Sequence, residues 1–167
     1  MANRTRRKSL PRRRTIPAFL GFLLLCFLVS AIGGWVTAGS VKTWYPLLEK
    51  PPHNPPAWVF GPVWTVLYIL MATAAWRVWR AAGWVQARPA LILFFAQLGL
   101  NLLWSVLFFG LRNPTAALVE IVLLLAAILA TMRVFRPIDQ KAFWMFVPYA
   151  LWVGYAATLN AGIVYLN

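Results

Sequence analysis

Acidic residues are almost missing from this sequence: Glu49, Glu120 and Asp139 are its only three, against sixteen Lys and Arg. Cys26 and His53 are likewise single. A lone cysteine excludes an internal disulfide framework and a cysteine-built metal site, and it leaves the redox compartment open. One imidazole and three scattered carboxylates cannot be assembled into a carboxylate dyad, a zinc cluster or a Ser-His-Asp set. No metal site and no intrinsic cofactor is expected, and any chemistry must be brought largely by a bound small molecule.

Charge is also absent from long stretches. Residues 15–41, 54–76, 89–111 and 142–167 contain no Asp, Glu, Lys or Arg, and 113–132 contains only Glu120. About 20 helical residues cross a hydrocarbon core of roughly 30 Å, and only a helix or a closed barrel satisfies its backbone where there is no water. With 62% hydrophobic residues, 11% charged residues and a mean hydropathy of +0.70, a water-soluble fold would be coated in apolar surface. The expected class is an all-α integral, multi-pass membrane protein, a bundle of five transmembrane helices over about 16–38, 58–80, 89–111, 114–135 and 142–165.

The cations set the expected orientation. Thirteen Lys and Arg fall before the first span and on alternate connections after it, and three on the others. The positive-inside rule then places the N-terminus in the cytoplasm and Asn167 outside. Residues 1–14 read as a basic cytoplasmic arm ahead of a 15–167 transmembrane domain. Its seven cations invite a nucleic-acid reading, but topology and anionic headgroups account for them, at about 1 kcal/mol per basic residue near the surface. No nucleic-acid partner is expected. The apolar run from Ile16 is also too long for a signal-peptide core of roughly 7 to 15 residues.

Proline marks the helices and the lid. Pro17, Pro89 and Pro114 lie near expected helix starts, while Pro62 and Pro148 fall inside spans, where a kink can widen a cavity. Six of the twelve prolines lie between Pro46 and Pro62, so 42–57 is expected to be a stiff lid carrying Trp44 and Tyr45, with Trp58 just beyond it. Those aromatics have a plainer reading as an interfacial belt. Small residues at Ser30, Gly34 and Ala38, and at Ala150, Gly154, Thr158 and Gly162, predict close packing between the first and last helices. Helical spacing puts Trp64, Tyr68 and Met71 on one face, Gln97, Asn101, Trp104 and Phe108 on a second, and Trp152, Ala156 and Asn160 on a third. Three aromatic and amide faces could meet around a flat apolar guest, stacking on indoles and hydrogen-bonding to amides. Asn101 and Asn160 read equally well as glue between membrane helices.

Trp44-Tyr45, Lys50-Pro51, Pro55-Pro56, Phe60, Pro62, Trp64, Leu67-Tyr68, Ala96-Gln97-Leu98, Asn101, Trp104, Phe108-Phe109-Gly110, Pro148-Tyr149, Trp152, Ala156 and Leu159-Asn160 together resemble the translocator protein family, also called tryptophan-rich sensory proteins or peripheral benzodiazepine receptors, and in particular its bacterial members. The resemblance covers about 16–167. It implies a five-helix bundle, often a homodimer in the bacterial cell membrane. Its pocket beneath the first long loop would accept porphyrins, haem-like tetrapyrroles, sterols and isoquinoline carboxamides. The implied ligand contacts are Trp44, Asn54, Phe60, Trp64, Tyr68, Asn101, Trp104, Trp152, Ala156 and Asn160. The function implied first is a tetrapyrrole-binding transporter or stress sensor. The alternatives are light-dependent protoporphyrin oxidation supported by Trp64 and Trp152, and a sterol-binding or regulatory scaffold.

Two departures from the family pattern stand out. His53 replaces an aromatic residue in the lid, where an imidazole could meet haem iron or a propionate, or simply be solvated. No Lys or Arg follows Lys141, so the cholesterol motif proposed for the last helix of mammalian relatives is absent, although Val41, Tyr45 and Lys50 fit that loose pattern in the lid. Porphyrin propionates would favour a wet mouth near Lys42, Lys50 and Arg112. Glu120, about 9 Å past Pro114 by helical rise, is an intramembrane acid, either functional or paired with Arg112 or water.

Overall fold

The structure, a computed structural model, describes residues 12–167. The expected basic arm lies outside the described residues, except that the backbone at 12–14 begins the first helix. Four long helices follow in order: α1 (Arg12–Thr43), α2 (Phe60–Ser105), α3 (Pro114–Phe135) and α4 (Gln140–Leu166). Four helical stretches, Thr15–Thr43, Ala57–Gly110, Pro114–Phe135 and Gln140–Leu166, are long and apolar enough to cross a membrane. Among the described residues there is no strand.

The helix count differs from the expected five because the second and third expected spans run together. α2 is 46 residues long, and its only non-helical backbone is at Gly83, with φ 73° and ψ 174°. Only glycine adopts that region readily, and a side chain there costs about 1–3 kcal/mol. The chain doubles back at this point. The Tyr68 hydroxyl donates to Asn101 Oδ1 at 2.6 Å across 33 residues, which in a straight helix would be separated by about 50 Å. The expected connection around 81–88 is therefore helical on both sides of one residue, and Pro89 sits in the second turn after the break instead of starting a helix.

The doubled α2 is the hub. α1 packs on it from one side, α3 and α4 pack on it and on each other from the other, and α1 makes no comparable contact with α4. Around the Gly83 end the bundle is solid. Ala72, Ala74, Ala75 and Val78 are wholly buried there, and Leu91, Phe94, Ile128, Phe135 and Phe146 fill the interior. Trp76 Nε1 donates to the Thr15 carbonyl at 2.9 Å, tying α1 to this end. The other end is hollow and capped by 44–59, which contains two single 3-10 turns, Tyr45–Leu47 and Ala57–Val59.

Between α3 and α4 the chain turns tightly, and Asp139 has two tasks there. It caps α4 by accepting from the Ala142 N–H at 2.8 Å. It also takes a two-pronged bond from Arg77 of α2, at 3.1 and 2.8 Å, the only salt bridge among the described residues. Burial raises the carboxyl's proton affinity, but the Arg77 and Ala142 bonds outweigh it and hold the group below its ordinary value. A depressed carboxyl stabilises the fold above its unfolded value and loses that contribution as pH falls through the folded one. We expect Asp139→Asn to cost about 1–2 kcal/mol at neutral pH and to flatten the acid limb of stability, read from unfolding midpoints in detergent against pH. Parallel acid limbs in the two proteins would assign the pH dependence elsewhere.

Candidate functional site

A cavity of about 400 Å³ occupies the hollow end, within the roughly 300–1,000 Å³ range of small-molecule sites. Its walls come from α1, both halves of α2, α4 and the turn that follows α2. Eight of the ten expected contacts line it: Phe60, Trp64, Tyr68, Asn101, Trp104, Trp152, Ala156 and Asn160. Trp44 and Asn54 are set one layer back. Trp44 packs edge-on against Phe108 at 5.7 Å, and Asn54 accepts the Tyr45 hydroxyl at 3.1 Å. Burial raises the proton affinity of that hydroxyl and the Asn54 bond partly offsets it.

The two buried amides are bound into the frame. Asn101 accepts from Tyr68 and donates through Nδ2 to the Tyr149 hydroxyl at 3.1 Å, joining both halves of α2 to α4. Asn160 accepts from Trp104 Nε1 at 3.1 Å and donates to the Pro114 carbonyl at 2.8 Å, joining α2, α3 and α4. Each such bond contributes about 0.6–2 kcal/mol in a membrane. Both residues act as glue while they line the cavity. Trp152 differs: its Nε1 is buried without a partner among the described residues, and its ring stands edge-on to Phe60 at 5.7 Å. Trp64 leans on Tyr68 at 5.7 Å and meets Tyr149 edge-on at 6.2 Å. Of the remaining residues on the three predicted faces, Met71 and Gln97 belong to the solid interior and Phe108 to the cavity wall.

Several wall residues escaped sequence reasoning. The last turn after α2, Val106–Gly110, is π-helical, with the Leu111 N–H reaching Val106 O at 2.7 Å. The extra residue in that turn lets Phe108 stack on Trp104 at 5.1 Å while Phe109 also faces the cavity. The Ser40 hydroxyl donates to the Phe109 carbonyl at 2.6 Å, pinning α1 to this turn. The small-residue stripe of α1 is a second case. It does not pack on α4 as expected. Ser30, Gly33, Gly34 and Thr37 line the cavity instead, and Gly34 borders open space. The spacing was visible, but its partner was a void, which no pattern of small residues distinguishes from a helix.

The lid is fastened to α4. The Glu49 N–H donates to Asn167 Oδ1 and Asn167 Nδ2 donates to the Glu49 carbonyl, both at 3.0 Å. The Tyr155 hydroxyl donates to the His53 carbonyl, and His53 Nε2 lies 3.4 Å from the Thr158 hydroxyl. His53 thus belongs to this outer seam and is not among the cavity-lining residues. Among the described residues no basic side chain lines the cavity. Lys50, expected at the mouth, donates to the Pro46 and Leu48 carbonyls and lies over the Tyr45 ring. Glu120 is buried on α3 with neither oxygen partnered, so it makes no pair with Arg112. Among the described residues no three His, Cys, Asp or Glu could hold a metal.

The TspO/MBR family model matches residues 22–166. The chain belongs to the TspO/MBR family. It is 43% identical over 146 residues to the tryptophan-rich protein TspO of Archaeoglobus fulgidus, covering 87% of this chain and 94% of that one. Identity to the tryptophan-rich sensory protein of Cereibacter sphaeroides is 40% over 152 residues, covering 89% and 90% of the two chains. The human translocator protein is 35% identical over 147 residues, covering 87% and 86%. The matched segment includes every wall of the cavity and the whole lid.

Gly162 is the contact on which lid closure turns. A Cβ built there would lie 2.9 Å from Pro51 Cγ and 3.0 Å from Pro51 Cβ, whereas one at Gly154 would meet nothing within 4 Å. Overpacking of this kind costs about 1–3 kcal/mol. Gly162→Ala should therefore speed amide exchange at Glu49 and Asn54 about tenfold, and Gly154→Ala should leave it unchanged. Hydrogen exchange by mass spectrometry checks both, and equal protection in all three proteins would remove Gly162 from the closure.

Proposed function

We propose that this TspO-family membrane protein binds a tetrapyrrole of the protoporphyrin or haem type in the cavity beneath the lid, as a transporter or stress sensor. The observation that carries this reading is the character of the wall. Trp64, Trp104, Trp152, Phe60, Phe108 and Tyr68 surround a space into which no charged side chain reaches among the described residues. A flat macrocycle gains from stacking on such rings. Its propionates, finding no cation inside, stay at the surface.

The same reading takes the chain across the bilayer five times, with the break at Gly83 as the turn between the second and third crossings. The uneven division of Lys and Arg supports a cytoplasmic N-terminus and an outer lid. Pairing of two copies and residence in a bacterial cell membrane belong to this reading as well. It draws support from the names of two relatives, a sensory protein and a translocator.

Titration of protoporphyrin IX against tryptophan fluorescence in nanodiscs tests it. Saturable quenching is expected. Trp64→Ala should weaken it about tenfold through lost stacking, and Asn101→Ala should weaken it by loosening the frame. Absence of saturation, or affinities indifferent to both substitutions, would overturn the assignment.

A second reading, light-dependent oxidation of the bound porphyrin, is favoured by one observation: the indoles of Trp64 and Trp152 both face the cavity, and Trp152 Nε1 has no partner. Under illumination the Soret band should decay faster than with an unrelated membrane protein. Trp64→Phe and Trp152→Phe should each slow that decay at saturating porphyrin. A decay rate equal in all of them dismisses the catalyst.

A further inference from the structure

The end of the molecule away from the lid carries a surface that the cavity does not explain. The two-pronged bond from Arg77 of α2 to Asp139 sets the turn between α3 and α4 beside the break at Gly83. Asp139 is the only acid in this region, and the Arg77 bond and the cap of α4 take up both its oxygens. Five further cations, Arg80, Arg88, Arg133, Arg136 and Lys141, are exposed there, and none has an ion-pair partner among the described residues.

Two of these cations are laid on rings. The Arg80 guanidinium lies over the Trp76 ring at 4.5 Å, and that of Arg136 over the Phe143 ring at 5.6 Å. Trp76 is itself fixed by its bond to the Thr15 carbonyl, so Arg80 rests on a firm base. Trp84, next to Gly83, and Trp144, in the second turn of α4, are 56% and 60% exposed. Exposed indoles where spans end mark headgroup depth, the layer in which bilayer phosphates lie.

A bias in the number of Lys and Arg is enough to set topology. It does not call for guanidiniums held on rings with no carboxylate in reach. A guanidinium offers a planar fork of N–H donors that matches two phosphate oxygens, and stacking on a ring leaves the edge of that fork free.

We propose that this end of the bundle is a binding surface for the headgroups of anionic phospholipids, anchored by Arg80 and Arg136, with Arg88, Arg133 and Lys141 adding to the field. A soluble polyanion would meet the same charges but would leave the apolar rings of Trp84 and Trp144 uncovered. A lipid satisfies both, its phosphate on the guanidiniums and its acyl chains along the outer faces of α2 and α3, where Ile92, Phe95 and Leu129 are exposed. The surface lies at the opposite end from the cavity and stands apart from the tetrapyrrole reading.

Native mass spectrometry of the full chain, released from micelles containing equal amounts of phosphatidylglycerol and phosphatidylcholine, tests it. Phosphatidylglycerol adducts should exceed phosphatidylcholine adducts roughly tenfold. Arg80→Gln with Arg136→Gln should cut that preference about fivefold. Arg80→Lys with Arg136→Lys, which keeps the charge without the fork, should fall between. Lys42→Gln with Arg112→Gln, which removes as many charges from the lid end, should leave the preference unchanged. Equal adducts of the two lipids would overturn the proposal, as would a preference that the glutamine pair does not move or that the lid-end pair moves as much. A lysine pair as weak as the glutamine pair would remove charge as the cause. Displacement of the bound lipid by millimolar inorganic phosphate would assign the surface to a soluble anion instead.

Discussion

Asn101 holds the architecture together. In lipid there is no hydrophobic force drawing one apolar helix to another, so packing and interhelical hydrogen bonds set the arrangement. One carboxamide here reaches Tyr68 on the first half of α2 and Tyr149 on α4 from its place on the second half of α2. That fixes three helical segments at one level. Above it the walls diverge around the cavity, and below it alanines and phenylalanines close the interior. Asn160 repeats the device nearer the lid, joining Trp104 to the first turn of α3. A cavity can persist between two such ties because the helices are held apart as firmly as they are held together.

The lid follows from the same need to settle polar groups. A proline-rich segment has few amide protons to place; it bonds largely within itself, and its polar contacts with the rest of the chain fall mainly on α4 and the residue after it, through Tyr155, Thr158 and Asn167. Gly162 admits Pro51 where any side chain would collide. Closure therefore depends on a shape match at one glycine and a handful of bonds at the surface, while the frame below depends on buried amides. Cover and cage thus rest on separate sets of contacts.

Legibility in the sequence divided along the same line. The helical, membrane-type character was plain from charge-free runs, because desolvating charge is so costly that its absence is the strongest signal a chain can carry. The family was plain too, from aromatic and amide residues in a fixed order along the helices. What periodicity could not give was anything that depends on a single residue's backbone or on a void. Gly83 turns what read as a loop into a one-residue break. The π-turn at Val106–Gly110 adds one residue to a helix and brings Phe109 to the cavity beside Phe108. The stripe at Ser30, Gly34 and Ala38 read as a packing seam, whereas Ser30 and Gly34 border the cavity, because small residues serve both a close neighbour and an empty space.

Glu120 shows why the aromatic cavity alone is an incomplete account of the interior. If the fold needed only apolar helices around a stacking site, an acid on α3 would be a pure liability, since Leu or Gln would fill its place without the threat of an uncompensated charge. Arg112 does not rescue it, and the side chain is only 4% exposed. Glu120 sits on α3, which packs against α2 and α4, the two helices that the Asn101 tie joins.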